Sequence, residues 1–144
     1  MKIAVAADHG GFTLKEEIKE ALAAQGHEVL DLGTDSEASV DYPFFGRKCA
    51  EAVAGGEAER GVVCCGSGIG MSMAANKVKG IRCALVTGEE YARLAAEHNH
   101  ANMIALGGRF TAPEDALRYI DVWLGTEWAG GRHDRRVAEL DEML

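Results

Sequence analysis

Short apolar runs alternate along this chain with stretches whose apolar residues recur at helical spacing. Ile3–Ala7 is an unbroken apolar run closed by a polar, glycine-containing turn, the pattern of a buried strand. Phe12, Ile18 and Leu22 follow near helical spacing. Thr13-x-x-Glu16 predicts a capping box at that helix start, and Gly26 a glycine stop. Glu28–Asp31 predicts a second strand. Asp41-Tyr42-Pro43 predicts the next helix, with Asp41 as cap and Pro43 in the first turn, running to Gly55-Gly56. Gly61–Cys65 is a third strand, followed by a glycine loop and a helix through about Lys77. Strands over Ile81–Val86 and Asn102–Leu106 alternate with helices over Glu89–Glu97 and Pro113–Leu124. A last helix follows Gly130-Gly131, over His133–Met143. Apolar strands alternating with helices predict a parallel sheet covered on both faces, here a three-layer α/β/α sandwich of five strands with a C-terminal helix. No linker, repeat or low-complexity stretch interrupts it, and 144 residues fit a single domain, 1–144. In such sheets ligands sit beyond the carboxyl ends of the strands, so chemistry is sought there.

After the first strand comes Asp8-His9-Gly10-Gly11. It reads either as a turn in which Asp8 caps the helix or as a carboxylate–imidazole pair for proton transfer or anion binding. After the third comes Cys65-Gly66-Ser67-Gly68-Ile69-Gly70. Alternate glycines let backbone N–H groups converge on an anion at a helix N-terminus, and they exceed what one tight turn demands. A dinucleotide fingerprint does not fit, because its third glycine position is Met71 and the loop does not follow the first strand. No Gly-Lys-Ser/Thr follows, which excludes a Walker loop. Cys65 ends its strand beside a helix N-terminus, a place that lowers a thiol pKa and makes the thiolate a base or nucleophile. The competing reading is a buried core cysteine. Successive strand residues face opposite sides, so Cys64 takes the core role if Cys65 faces the site. Cys49 and Cys83 also read as core.

His98-Asn99-His100 ends the fourth helix. Two histidines at i, i+2 lack a third ligand at metal spacing, so no metal is predicted; helix-end histidines are already favoured by the negative pole. Tyr42 and Arg109 lie at loop starts. Composition sharpens the picture here: 15 basic against 23 acidic residues give a net charge of -8. Such a chain repels nucleic acid and anionic membrane, so a small anionic ligand needs a local basic cluster. Arg132-His133-Asp134-Arg135-Arg136 is the dense one. Arg132 and Arg136 share a helix face if the helix begins there, and two guanidiniums suit a phosphate monoester. Arg135 reads as a solvated charge. No apolar run has the length of a membrane span, and Asp8-His9 interrupts the N-terminal run too early for a signal peptide. Adjacent Cys64 and Cys65 fit neither a zinc site nor a disulfide framework, which points to reduced thiols in the cytoplasm.

These pieces resemble ribose-5-phosphate isomerase type B, a group related to the subunits of galactose-6-phosphate isomerase. The resemblance rests on Asp8-His9-Gly10-Gly11, Asp41-Tyr42-Pro43, Cys65–Gly70 with Ala74-Ala75-Asn76-Lys77, His98-Asn99, and Gly130-Gly131-Arg132-His133 with Arg136. They occur in the family's order over essentially the whole chain. The resemblance implies a Rossmann-like fold and a homodimer or tetramer of dimers with sites shared between chains, using neither metal nor nucleotide cofactor. It implies that Cys65 moves a proton between C2 and C1 of a sugar phosphate. Gly66, Ser67, Gly68 and Gly70 would hold the enediolate oxygen, and Asp8 and His98 would serve ring opening. His9, Arg109, Arg132, His133 and Arg136 would surround the phosphate, with Tyr42 and Asn99 as lesser contacts. One branch of the family uses a glutamate just after the glycine loop as base; Met71 stands there, which implies the cysteine-type mechanism. His100 departs from the aspartate of many members. The nearest rival is an isomerase of another aldose phosphate, such as allose, galactose or a tetrose phosphate. A galactose-6-phosphate isomerase subunit would need a non-identical partner, whereas here the cysteine, histidines and arginines share one chain, favouring self-association. A non-catalytic phosphate-binding α/β module would explain the glycine loop but not Cys65, His98 and Arg132 together.

Overall fold

The computed structural model describes residues 1–144. Its elements in chain order are β1 (Lys2–Ala7), α1 (Phe12–Ala24), β2 (Glu28–Asp31), α2 (Tyr42–Ala54), β3 (Arg60–Cys65), α3 (Ile69–Ala75), β4 (Cys83–Leu85), α4 (Glu89–Glu97), β5 (Met103–Gly107), α5 (Pro113–Gly125), a 3₁₀ turn (Gly131–His133) and α6 (Asp134–Asp141). The five strands form one parallel sheet in the order β2-β1-β3-β5-β4. No helix is long and apolar enough to cross a membrane.

The apolar run of each inner strand is buried on both faces, as a parallel sheet requires. Alternation sorts its side chains. Ile3, Val5, Val62, Cys64, Ile104 and Leu106 pack against Leu14, Ile18 and Leu22 of α1 and against α4 and α5. Ala4, Ala6, Val63, Cys65, Met103 and Ala105 pack against α2 and α3. Cys64 and Cys65 therefore face opposite layers, as the strand period predicts.

Local corrections follow from competing hydrogen bonds. The Thr13–Glu16 capping box does not form: α1 starts at Phe12 with Gly11 at the cap position, two residues earlier, and the Thr13 hydroxyl donates instead to Glu37 at 3.1 Å. Asp8 serves that helix start, accepting the Gly10 and Gly11 N–H groups at 2.9 and 3.1 Å. Asp41 occupies the cap position of α2 with Pro43 in the first turn, but its side chain makes no cap bond. β4 is shorter than the Ile81–Val86 run, because Asn102 Oδ1 takes the Arg82 N–H at 2.8 Å before a strand partner can. α3 stops at Ala75 rather than Lys77. The last helix is split into the 3₁₀ turn and α6, ending at Asp141.

Candidate active site

β2 lies on one side of β1 and β3 on the other, and the chain leaves β1 and β3 toward opposite layers. The loops after these two strands thus diverge and open a crevice at the sheet's topological switch point. Glycines let the loops touch. A Cβ on Gly108 would lie 2.6 Å from the Gly10 carbonyl oxygen, so the loop after β5 can close on the loop after β1 only without a side chain. Gly68 has φ +81°, the left-handed turn that swings the chain from β3 into α3.

The result is a cavity of about 500 Å³ bordered by Asp8, His9, Tyr42, Cys65, Gly66, Ser67, Gly70 and Arg109. Cys65 is 5% exposed, and its Sγ accepts the Gly68 N–H at 3.1 Å. The Ser67 hydroxyl accepts the Ile69 N–H at 3.2 Å. Within α3 the Ser72 N–H reaches back to the Gly68 carbonyl at 3.0 Å, so the amides of Gly70 and Met71 precede the first intrahelical bond. Arg109 lies against the loop: a Cβ on Gly66 would sit 3.0 Å from its Nη1. Tyr42 packs on Gly70 in the same way. His9 Nδ1 accepts the Val40 N–H at 3.2 Å, which leaves Nε2 as its protonated nitrogen in the neutral ring. The other three cysteines are packed in the two core layers. Burial drives the Cys49 and Cys64 thiols far above the ordinary thiol range and pushes Cys83 up to about 12.

Asn99, His98, Arg132, His133 and Arg136 do not border this cavity. A helix that follows a parallel strand runs back along it, so His98, at the end of α4, lies where β5 begins. Cys65 lies where β3 and β5 end, paired with Gly107. The five residues of β5 alone span roughly 16 Å. Within one chain Arg132, His133 and Arg136 therefore stand apart from His9 and Arg109, so a phosphate held by all five needs two chains, the sharing that the resemblance implies. His98, Arg132, His133 and Arg136 form a second cluster, and Asn99 lines a separate groove at the β4 edge. The His98 and His133 rings stack at 4.4 Å, and His100 stacks on Trp128 at 4.7 Å. The two histidines of His98-Asn99-His100 thus turn to different partners rather than to a shared ion. Desolvation and the neighbouring His98, Arg132 and Arg136 hold His133 below the usual imidazole range, against an opposing pull from Glu97. Arg135 is paired with Glu139 at 3.8 Å, whereas no carboxylate lies within salt-bridge distance of Arg109, Arg132 or Arg136.

Two features escaped the sequence reading. Lys15 is 1% exposed and pairs with Asp31 at 2.8 Å, beneath the loop that follows β2; a lysine at a core helical position was the available signal. Ile69, Met73 and Phe110 form an apolar rim around the cavity, with Met73 61% and Phe110 80% exposed. Phe110 beside Gly107-Gly108-Arg109 was visible as a large apolar residue in a polar loop.

A parallel α/β sheet carrying a thiol, a carboxylate and a guanidinium around a glycine loop at its switch point is the layout of a small α/β enzyme. The model of the family described as ribose/galactose isomerase matches residues 3–140. The chain is 48% identical to ribose-5-phosphate isomerase B of Escherichia coli (strain K12), over 94% of this chain and 91% of that one. A solved structure of Clostridium thermocellum ribose-5-phosphate isomerase B overlays with a TM-score of 0.98 at 52% identity, covering 99% of this chain and 97% of the other. That of the Mycoplasma genitalium ribose-5-phosphate isomerase B, with bound ribulose 5-phosphate, gives 0.93 at 39% identity over 98% and 94%. The chain belongs to the ribose/galactose isomerase family.

Proposed function

We propose that this chain is an aldose–ketose isomerase interconverting ribose 5-phosphate and ribulose 5-phosphate, acting as a cytoplasmic homodimer or larger homo-oligomer. The observation that carries the chemistry is Cys65, whose Sγ faces a cavity of about 500 Å³ while held by the Gly68 N–H. The Cys65 thiolate takes the proton from C2 of the open-chain aldose. The C2–H electron pair becomes the C1–C2 double bond, and the former carbonyl oxygen takes up negative charge. A proton passes from O2 to O1, and the thiol returns its proton to C1. Ser67 and those amides of the Gly66–Gly70 loop not already donated to Cys65 and Ser67 face the developing oxyanion, the preorganised electrostatics such a step needs. Asp8 and His98 serve ring opening. Arg109 and His9 from one chain, with Arg132, His133 and Arg136, hold the phosphate, remote binding that fixes the open-chain sugar in place. Tyr42 and Asn99 add contacts at the edges of that sugar.

The separation of the two clusters supports the homodimer. The cavity of one chain lacks His98 and the two free arginines, and its rim of Ile69, Met73 and Phe110 is apolar and uncovered. A second copy related by a two-fold axis supplies both.

A coupled assay across four-, five- and six-carbon sugar phosphates, with chelator present, tests the reading. Turnover of ribose 5-phosphate is expected without added metal, and no turnover on any aldose phosphate would overturn it. Replacement of Arg136 by alanine is expected to raise KM about 10- to 100-fold, since a charge-assisted contact contributes about 1.5–3 kcal/mol. kcat stays nearly unchanged and inhibition by inorganic phosphate weakens in parallel. Unchanged KM and unchanged inhibition would return Arg136 to a solvated face.

A further inference from the structure

Arg132 and Arg136 sit on a C-terminal segment with little hold on the body of the fold. Val137 is the one buried residue of α6, while Leu140, Met143 and Leu144 are largely exposed. The segment is fastened at two places, on either side of the arginines. The first is a set of stacked rings: Trp128 on His100 and His133 on His98, with the Ala129 N–H donating to the Glu97 carbonyl at 3.1 Å. The second is Asp141, whose carboxylate receives both of its bonds from Arg82 Nη1, at 2.9 and 3.1 Å.

Arg82 joins these two places. Its Nε donates to the His100 carbonyl at 2.8 Å, and its backbone N–H donates to Asn102. His100 has φ +48°, the left-handed region that few non-glycine residues occupy. That conformation turns its carbonyl to Arg82 while its ring lies on Trp128. One half-buried guanidinium therefore holds the peptide that presents the ring stack and the far end of the helix that carries Arg136.

We infer that Arg82 is a positioning residue for phosphate binding. Through the His100 carbonyl and Asp141 it fixes where Arg132, His133 and Arg136 stand relative to His98. The inference rests on the reading of Arg132 and Arg136 as phosphate ligands. Arg82 itself does not border the Cys65 cavity: its guanidinium is spent on the His100 carbonyl and Asp141, beside a separate groove of about 410 Å³ at the β4 edge.

The test uses Arg82→Met, Asp141→Asn and the double variant in the full chain. Inorganic phosphate affinity is measured by calorimetry, and KM and kcat for ribose 5-phosphate by coupled assay. Misplacing binding groups by about 1 Å costs as much as 10²-fold, so KM and the phosphate dissociation constant are expected to rise together by roughly 10-fold or more. kcat stays within about 2-fold, because Cys65 and its loop are untouched. The double variant is expected to be no worse than Arg82→Met alone, since Arg82→Met already breaks the link that Asp141→Asn removes. If Arg82→Met fails to fold, Asp141→Asn carries the test, because that carboxylate is partly exposed and its loss removes only the clasp. A lowered melting temperature with unchanged phosphate affinity and KM would overturn the role of Arg82. Absence of phosphate binding by the unaltered protein would instead overturn the reading of the arginine cluster itself.

Discussion

Replacement of Cys65 by alanine is expected to lower kcat by roughly 10²–10⁴-fold, the contribution of a positioned general base, while KM changes little. The asymmetry follows from the geometry. Cys65 ends β3 inside the cavity, with its sulfur bonded to the Gly68 amide, whereas the groups assigned to phosphate lie elsewhere and are untouched by the change. The neighbouring position provides the control. Cys64 faces the opposite layer, 1% exposed among Ile3, Val5 and Leu14, with its thiol raised by burial. Cys64→Ala should therefore cost on the order of 1 kcal/mol of stability and leave kcat nearly intact. Iodoacetamide should inactivate the unaltered enzyme at Cys65, and substrate should protect it. Steady-state kinetics on both variants, with thermal melts, decide the matter: near-normal kcat in Cys65→Ala removes the cysteine from the proton-transfer role.

The contrast between these neighbours was legible before any coordinates, because a two-residue period is a property of the strand itself. The same holds for β1, β3 and β5, whose unbroken apolar runs are what a strand buried on both faces must show. Less was legible where side chains compete for backbone groups. Thr13 and Glu16 stand at capping-box spacing, but α1 already begins at Phe12, after a turn in which Asp8 holds the Gly10 and Gly11 amides, and Glu37 lies near enough to bind the hydroxyl. A buried Lys15 violates the expectation for a charged residue, and only the fold shows Asp31 from the end of β2 arriving to pair with it.

The separation of the two functional clusters belongs to a third level. Motif order along the chain suggested Cys65, His98 and Arg132 as members of one site, which the resemblance implies is shared between chains. Nothing in their spacing reveals that His98 ends a helix running back to the start of β5 while Cys65 stands at the far end of the sheet. That fact comes from the parallel topology, and it divides the residues of one chain into two separate clusters.

Two inactive chains are therefore expected to make an active enzyme when mixed. A His98→Ala chain keeps a normal Cys65 cavity, and a Cys65→Ala chain keeps a normal His98–His133 stack. Random exchange of equal amounts gives half heterodimers, in each of which one site receives both intact groups and the other neither. Recovered activity should approach about a quarter of the unaltered enzyme, as an isologous two-fold arrangement dictates. Mixing must allow subunit exchange, by brief partial denaturation or by co-expression, and each variant alone measures the background. The apolar rim gives an independent handle on the same arrangement. Phe110→Asp places a charge on a surface that would be covered in the dimer, and it should shift sedimentation toward the monomer and lower activity together. No recovery in proven heterodimers would place Cys65 and His98 in separate functions. A monomer that sediments as such at working concentration, yet turns over ribose 5-phosphate, would show that the Cys65 cavity works without a partner's histidine.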